Sequence, residues 1–197
     1  MLYSLLHLRD KTLNIDAQEY LDLIEATHRL AFVDIEASGL RGDYNSVLCV
    51  SIKPYGKAPY TMFVKQAGND QKVVREAKKE LESYSAWCGY FSKGFDLPML
   101  NTRLLKWGQT PIVKKPHLDL YWILKSNILT ARRSQGHLLS WLETPEEKMT
   151  VSAETWNRIL ANTKAEMPLM VQRCESDVKG LEALYNRTKH LIVEVKR

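Results

Sequence analysis

An α/β fold built on a mixed sheet is predicted by three features of the sequence. Strand-like apolar runs cluster between about residues 30 and 120, helical periodicity interrupts them and then takes over beyond Tyr121, and no internal repeat or long linker divides the chain. With 197 residues, 45% of them hydrophobic, there is enough apolar surface for one domain with a substantial core. The expected organisation is an N-terminal helical extension over residues 1–29 packed on a domain spanning 30–197.

Taken in order, residues 1 to 15 have no clear period, and Ile15, Tyr20, Leu21, Leu23 and Ile24 then fall close to helical spacing. Asn14 or Asp16 suits the cap of that helix, which ends before His28. Leu30 to Ile35 is an apolar run that reads as a buried strand, and Gly39 and Gly42 break the chain after it. Val47 to Ile52 is rich in β-branched residues, a turn follows at Pro54, Gly56 and Pro59, and Tyr60 to Val64 is a third strand, giving an antiparallel meander. From Asp70 to Tyr84, Val73, Val74, Ala77 and Leu81 form one apolar face among charged residues, as on a surface helix. Ala86 to Phe91 is a short buried strand, and a helix follows in which Asp96 is the expected cap and Pro98 lies in the first turn. His117 to Leu120 is the last strand. Helices are expected over 121–129, 136–142, 153–160 and about 168–191, with polar loops over 130–135 and 143–151.

The net charge of +5 and pI near 9.0 favour an anionic partner. Cys49, Cys88 and Cys174 are widely spaced, without a CxxC pair, so neither a disulfide framework nor a thiolate zinc site is suggested. No signal peptide is recognised, and no apolar run approaches the roughly 18 residues of a membrane span. A soluble cytoplasmic protein with reduced core cysteines and no membrane association is the expectation.

The chemistry begins with Asp34 and Glu36. Side chains two apart on a strand project from the same face, so these carboxylates repel unless they are solvated or neutralised by a cation, and hard oxygen ligands suit Mg²⁺, Mn²⁺ or Ca²⁺. Alone, such a pair at a strand end is more often just solvated. Two further acids follow in order: Asp96 in Gly94-Phe95-Asp96-Leu97-Pro98, with Arg103 beyond it, and Asp177 in Ser176-Asp177-Val178 on the last long helix. This order resembles the DEDD superfamily of 3′ to 5′ exonucleases, which have a ribonuclease H-like fold and an Asp-x-Glu strand, a central Phe-Asp and a helical C-terminal Asp. The resemblance covers residues 30 to 190.

It implies a ribonuclease H-like mixed sheet flanked by helices, two Mg²⁺ or Mn²⁺ ions, and hydrolysis of phosphodiester bonds at the 3′ end of single-stranded DNA or RNA. By the same resemblance Asp34 bridges both ions, Glu36 and Asp177 complete the metal that activates water, and Asp96 holds the leaving-group metal. Two ions about 4 Å apart can serve both the attacking water and the leaving oxygen, and their charge calls for several carboxylates.

One departure stands out. The family usually carries a Tyr four residues, or a His five residues, before the last Asp to orient the attacking water; here Arg173 and Gln172 occupy those positions. A guanidinium is permanently charged and cannot act as a base. Arg173 and Asp177 share a helix face, so an ion pair between them is the expectation and a phosphate clamp the alternative. A catalytically degenerate nucleic-acid-binding or protein-interaction module on the same fold is therefore the rival function, and a structure-selective endonuclease a third.

Arg103, Arg132, Arg133, Lys114 and Lys115, with Arg173, are the expected nucleic-acid contacts, joined by Lys148 and Lys164 in a basic groove; a merely solvated surface is the plain alternative. Asp119 reads as a helix cap, and His117 and His190 as lone histidines without ligand spacing. The five tryptophans are scattered rather than arranged as a stacking platform, with Trp87, Trp141 and Trp156 assigned to the core.

Overall fold

The computed structural model describes residues 16–161 and 163–195, with the side chains of 162–166 also outside the description. The opening segment, Asn14 as a cap and the Lys164 side chain lie outside the described residues. Helix α1 (Ala17–Ala26) is capped by Asp16, whose carboxylate accepts from the Gln18 N–H at 3.3 Å. Strands β1 (Leu30–Ala37), β2 (Val47–Pro54) and β3 (Tyr60–Phe63) form the expected antiparallel meander. Helix α2 (Gln71–Ser83) leads to β4 (Ala86–Gly89), α3 (Asp96–Lys106) to β5 (His117–Asp119), and α4 (Leu120–Asn127), α5 (Gln135–Trp141), α6 (Ala153–Ala161) and α7 (Thr163–Thr188) follow.

The sheet order is β3-β2-β1-β4-β5, with β4 and β5 parallel to β1, so the sheet is mixed and β1 is its central strand. A central strand covered on both faces reads as a continuous apolar run, and β1 is buried at every position but Asp34, which is half-buried. Val33 and Ile35 join Val73, Val74, Ala77, Leu100 and Leu104 of α2 and α3, whereas Leu30 and Phe32 join Val178, Leu181 and Tyr185 of α7. The period of two along β1 thus sorts neighbouring side chains between two helical layers. Leu21 and Ile24 pack α1 into the second of these.

The structure departs from the sequence reading at Asp96, Pro168 and Trp141. Asp96 is the first residue of α3 and Phe95 stands at the cap position, because the Asp96 carboxylate is directed at β1. Pro168 lies inside α7, which begins at Thr163 rather than at the proline. Trp141 is 54% exposed, whereas Trp87 is buried and its indole N–H donates to the Leu81 carbonyl at 2.8 Å.

Candidate active site

The β1–β2 register shifts between Glu36 and Ala37, an irregularity of the kind that re-aims side chains beside functional sites. At this end of β1 one carboxylate oxygen from each of Asp34, Glu36 and Asp177 lies within 4.8 Å of the other two. Helix α7 crosses the sheet there and delivers Asp177, and Gly180 lets it approach α5: a Cβ at that position would lie 2.8 Å from Leu139 Cδ1. The close approach allows the Gln135 amide to donate to the Asp177 carbonyl at 2.8 Å.

Asp96 reaches β1 from the start of α3, and its Oδ1 accepts from the Ile35 N–H at 3.2 Å. It sits within the electrostatic reach of Asp34 and Glu36 without belonging to the compact trio. The loop before it is clamped by Asp119, whose two oxygens accept from the N–H groups of Phe91 at 2.8 Å and Lys93 at 2.9 Å. Asp119 also caps α4 through the Tyr121 N–H, so the expected capping role extends to holding the loop that carries Asp96.

Four acids withdrawn from water in one place resist ionisation. Burial, then the charges of Asp177, Asp96 and Glu36, hold Asp34 well above the ordinary carboxylate range. Burial pushes Asp96 up to about 7, against the opposing effect of its backbone hydrogen bonds. Burial also raises Glu36 and Asp177, opposed by Arg173 and Lys148 respectively. The Cys174 thiol is buried too, and its Sγ lies 3.4 Å from both Asp34 Oδ2 and the Asp34 carbonyl oxygen.

Two cations meet this charge. Arg173 Nε donates to Glu36 Oε1 at 2.5 Å, and Lys148 Nζ donates to Asp177 Oδ2 at 3.0 Å. The Arg173 ion pair therefore forms with Glu36 and not with Asp177: α7 lies against β1, so the guanidinium meets the neighbouring strand. Asp177 Oδ1 is buried and has no hydrogen-bond partner among the described residues. A buried, unpartnered carboxylate oxygen on one of three clustered acids is the kind of ligand a hard divalent cation takes, so the residues fit such an ion.

The other expected contacts divide by position. Arg132 and Arg133 are exposed in the loop before α5, a few positions ahead of the Gln135 that donates to the Asp177 carbonyl, and the Tyr90 hydroxyl donates to the Arg133 carbonyl. Lys114 and Lys115 precede β5 and lie at its amino end, whereas Asp34 and Glu36 lie toward the carboxyl end of parallel β1, so the topology separates them from the site. Lys115 donates to the carbonyls of Glu82 and Tyr84 instead. Arg103 is buried, donating to Asp70 Oδ2 at 2.7 Å and Oδ1 at 3.0 Å, which removes it from any nucleic-acid surface. His117 is buried against the Ser92 hydroxyl at 2.8 Å, and burial lowers its pKa to about 3, so it is a neutral core histidine. The sequence reading missed Gln135 and Cys174 as neighbours of the acids, and neither carries a linear signal.

A five-stranded mixed sheet with carboxylates gathered at the end of its central strand defines the ribonuclease H-like class of α/β domains. A family model of the RNase H superfamily matches residues 31–189, and the chain belongs to that superfamily. The family supports a nuclease, and nucleases of this fold generally use divalent metals. Among solved structures, it is similar to the family B DNA polymerase from the hyperthermophilic archaeon Pyrobaculum calidifontis, with a TM-score of 0.65 and 18% identity over 81% of this chain. The match spans 24% of the polymerase chain, and at that identity the likeness is one of fold. No curated protein matches in sequence. No helix among the described residues is long and apolar enough to cross a membrane.

Proposed function

We propose that the chain is a metal-dependent 3′ to 5′ exonuclease acting on single-stranded nucleic acid. The observation that carries this reading is the convergence of Asp34, Glu36 and Asp177 within 4.8 Å, with Asp96 held against β1. Asp34, Glu36 and Asp177 would hold Mg²⁺ or Mn²⁺, and Asp96 would complete the set for a second ion. When bound, such ions supply an activated water and stabilise the leaving oxygen of a phosphodiester. The remaining work falls to the chain. Arg173 and Lys148 neutralise Glu36 and Asp177, and in this reading the same cations would hold the phosphate oxygens of a strand entering the site. Asp119 fixes the loop before Asp96, and Gln135 holds the backbone of Asp177.

A 5′-labelled single-stranded oligonucleotide tests the reading. Shortening from the 3′ end with Mg²⁺ or Mn²⁺, and its loss in Asp34→Asn and Asp177→Asn, is the expected result. Failure of the wild-type chain to shorten the strand while still binding it would favour the degenerate binding module, for which Arg173 in the usual place of a Tyr is the motive. Cutting of a circular single strand would replace the exonuclease reading by an endonuclease.

A further inference from the structure

We infer that Phe91 and Trp122 form a shelf on which bases of the single strand stack as its 3′ end enters the carboxylate site, an inference that rests on the nuclease reading above. Both rings are large and open to water, Phe91 at 42% and Trp122 at 43% exposure, and their centroids lie 6.1 Å apart. Tyr121 stands edge-on to both, 5.1 Å from Phe91 and 5.0 Å from Trp122, so the exposed rings are buttressed rather than loose.

The shelf is continuous with the site. Strands β4 and β5 run parallel to β1, and Gly89 pairs with Asp119, so Phe91 and Tyr121 each leave the sheet at the carboxyl ends of their strands, where Asp34 and Glu36 also lie. Ligands of open α/β sheets bind outside that edge. A Cβ on Gly94 would lie 2.6 Å from Phe91 Cζ, which places the Phe91 ring on the turn that leads to Asp96.

Backbone strain is maintained here. Phe91 has φ of 59°, a left-handed conformation that costs a non-glycine residue about 1 to 3 kcal/mol, and Asp119 holds it there through the Phe91 and Lys93 N–H groups. A buried acid thus fixes a strained residue so that its ring stays partly in water.

Charge identifies the occupant. Lys93, Lys125, Arg132 and Arg133 are exposed around this end of the molecule, and Lys125 Nζ lies 4.6 Å from the Trp122 ring centroid. Lys125 therefore sits over one face of Trp122, and exposed aromatic rings beside cations suit stacked bases with a phosphate backbone running past them; an apolar peptide would have no use for the cations.

The test compares wild type, Trp122→Ala and Trp122→Tyr with an oligonucleotide and with a dinucleotide, which has no upstream bases to stack. Trp122 stands on the exposed face of α4, so its removal leaves the core intact. Stacking on one aromatic ring predicts that Trp122→Ala loses about 5- to 150-fold of the preference for the longer strand, in KM rather than kcat, and that Trp122→Tyr recovers it. A fluorescent base analogue in the strand should be quenched on binding to wild type and less so by the alanine variant. Phe91→Leu should act in the same direction. An unchanged preference and unchanged quenching in both variants, with the wild type shortening the strand, would overturn the shelf and leave the nuclease reading standing. Binding without cleavage, still weakened by Trp122→Ala, would keep the shelf and remove the catalysis. A wild type that neither binds nor cleaves the strand would remove both.

Discussion

Arg173 on α7 donates to Glu36 on β1 at 2.5 Å, so the residue one helical turn before Asp177 is committed to another of the acids. Its guanidinium carbon also lies 5.8 Å from the Trp156 ring centroid, which leaves it between a carboxylate and an aromatic face. The pair lowers the cost of keeping Glu36 ionised while burial raises it.

From this contact follows a competition between Arg173 and a metal for Glu36. In Arg173→Gln the positive charge beside the acids is gone, and a charge-assisted hydrogen bond is worth about 1.5 to 3 kcal/mol. The expected outcome is Mn²⁺ binding tightened about tenfold in a calorimetric titration of the metal-free protein. Unchanged affinity would show that the ion pair does not compete with the ion.

Lys148 plays the corresponding part at Asp177, from a loop rather than a helix. Its side chain is 33% exposed while that of Asp177 is 3% exposed, so solvent screens the lysine but not the acid. Lys148→Met should lower the stability of the metal-free protein by about 1 kcal/mol, or about 2 to 4 °C in melting temperature. Saturating Mn²⁺ should restore most of the loss, because the ion supplies the missing positive charge.

The same acids give the metal-free protein an unusual pH profile. Asp96 has its pKa raised from 3.8 to about 7, and Asp34 and Asp177 are also raised. A carboxyl with a raised folded-state pKa binds more protons folded than unfolded between the two values, so its contribution to stability is full below pH about 4 and is lost as pH rises through about 7. Thermal melts in EDTA should therefore show a loss from this group as pH rises from about 4 to about 8, and Asp96→Asn should flatten that slope. Metal affinity should run the opposite way, rising with pH as the protons that compete with it leave.

Which relationships are legible in the sequence depends on their type. The alternation along β1 and the order of acids on β1, α3 and α7 are local patterns, and they specify the sheet and bring Asp34, Glu36 and Asp177 together. The partners of Arg173 and Lys148 are set by how α7 and the loop before α6 lie against the sheet, which has no linear signature. Helical spacing pointed Arg173 to Asp177, and tertiary packing turned it to Glu36. The aromatic grouping was hidden for the same reason: Phe91 and Trp122 are 31 positions apart and meet only because β4 and β5 are neighbours.

Arg103 shows the opposite error, a basic residue beside the Phe95-Asp96 motif that serves the core. Its bidentate pair with Asp70 is joined by the Trp107 indole N–H at 2.8 Å and the Val47 N–H at 2.9 Å, so one buried carboxylate ties together α3, the start of α2 and the start of β2. Every oxygen of Asp70 is engaged and its side chain is fully buried, which makes the acid dependent on its cation. Arg103→Leu strands that charge and should cost about 3 to 5 kcal/mol. At about 2 to 4 °C per kcal/mol, the melting temperature should fall by roughly 6 to 20 °C. Asp70→Asn with Arg103→Leu should recover part of this, since the stranded charge is then gone. Oligonucleotide affinity, measured below the lowered melting temperature, should match wild type; a substantial loss there would return Arg103 to the binding surface.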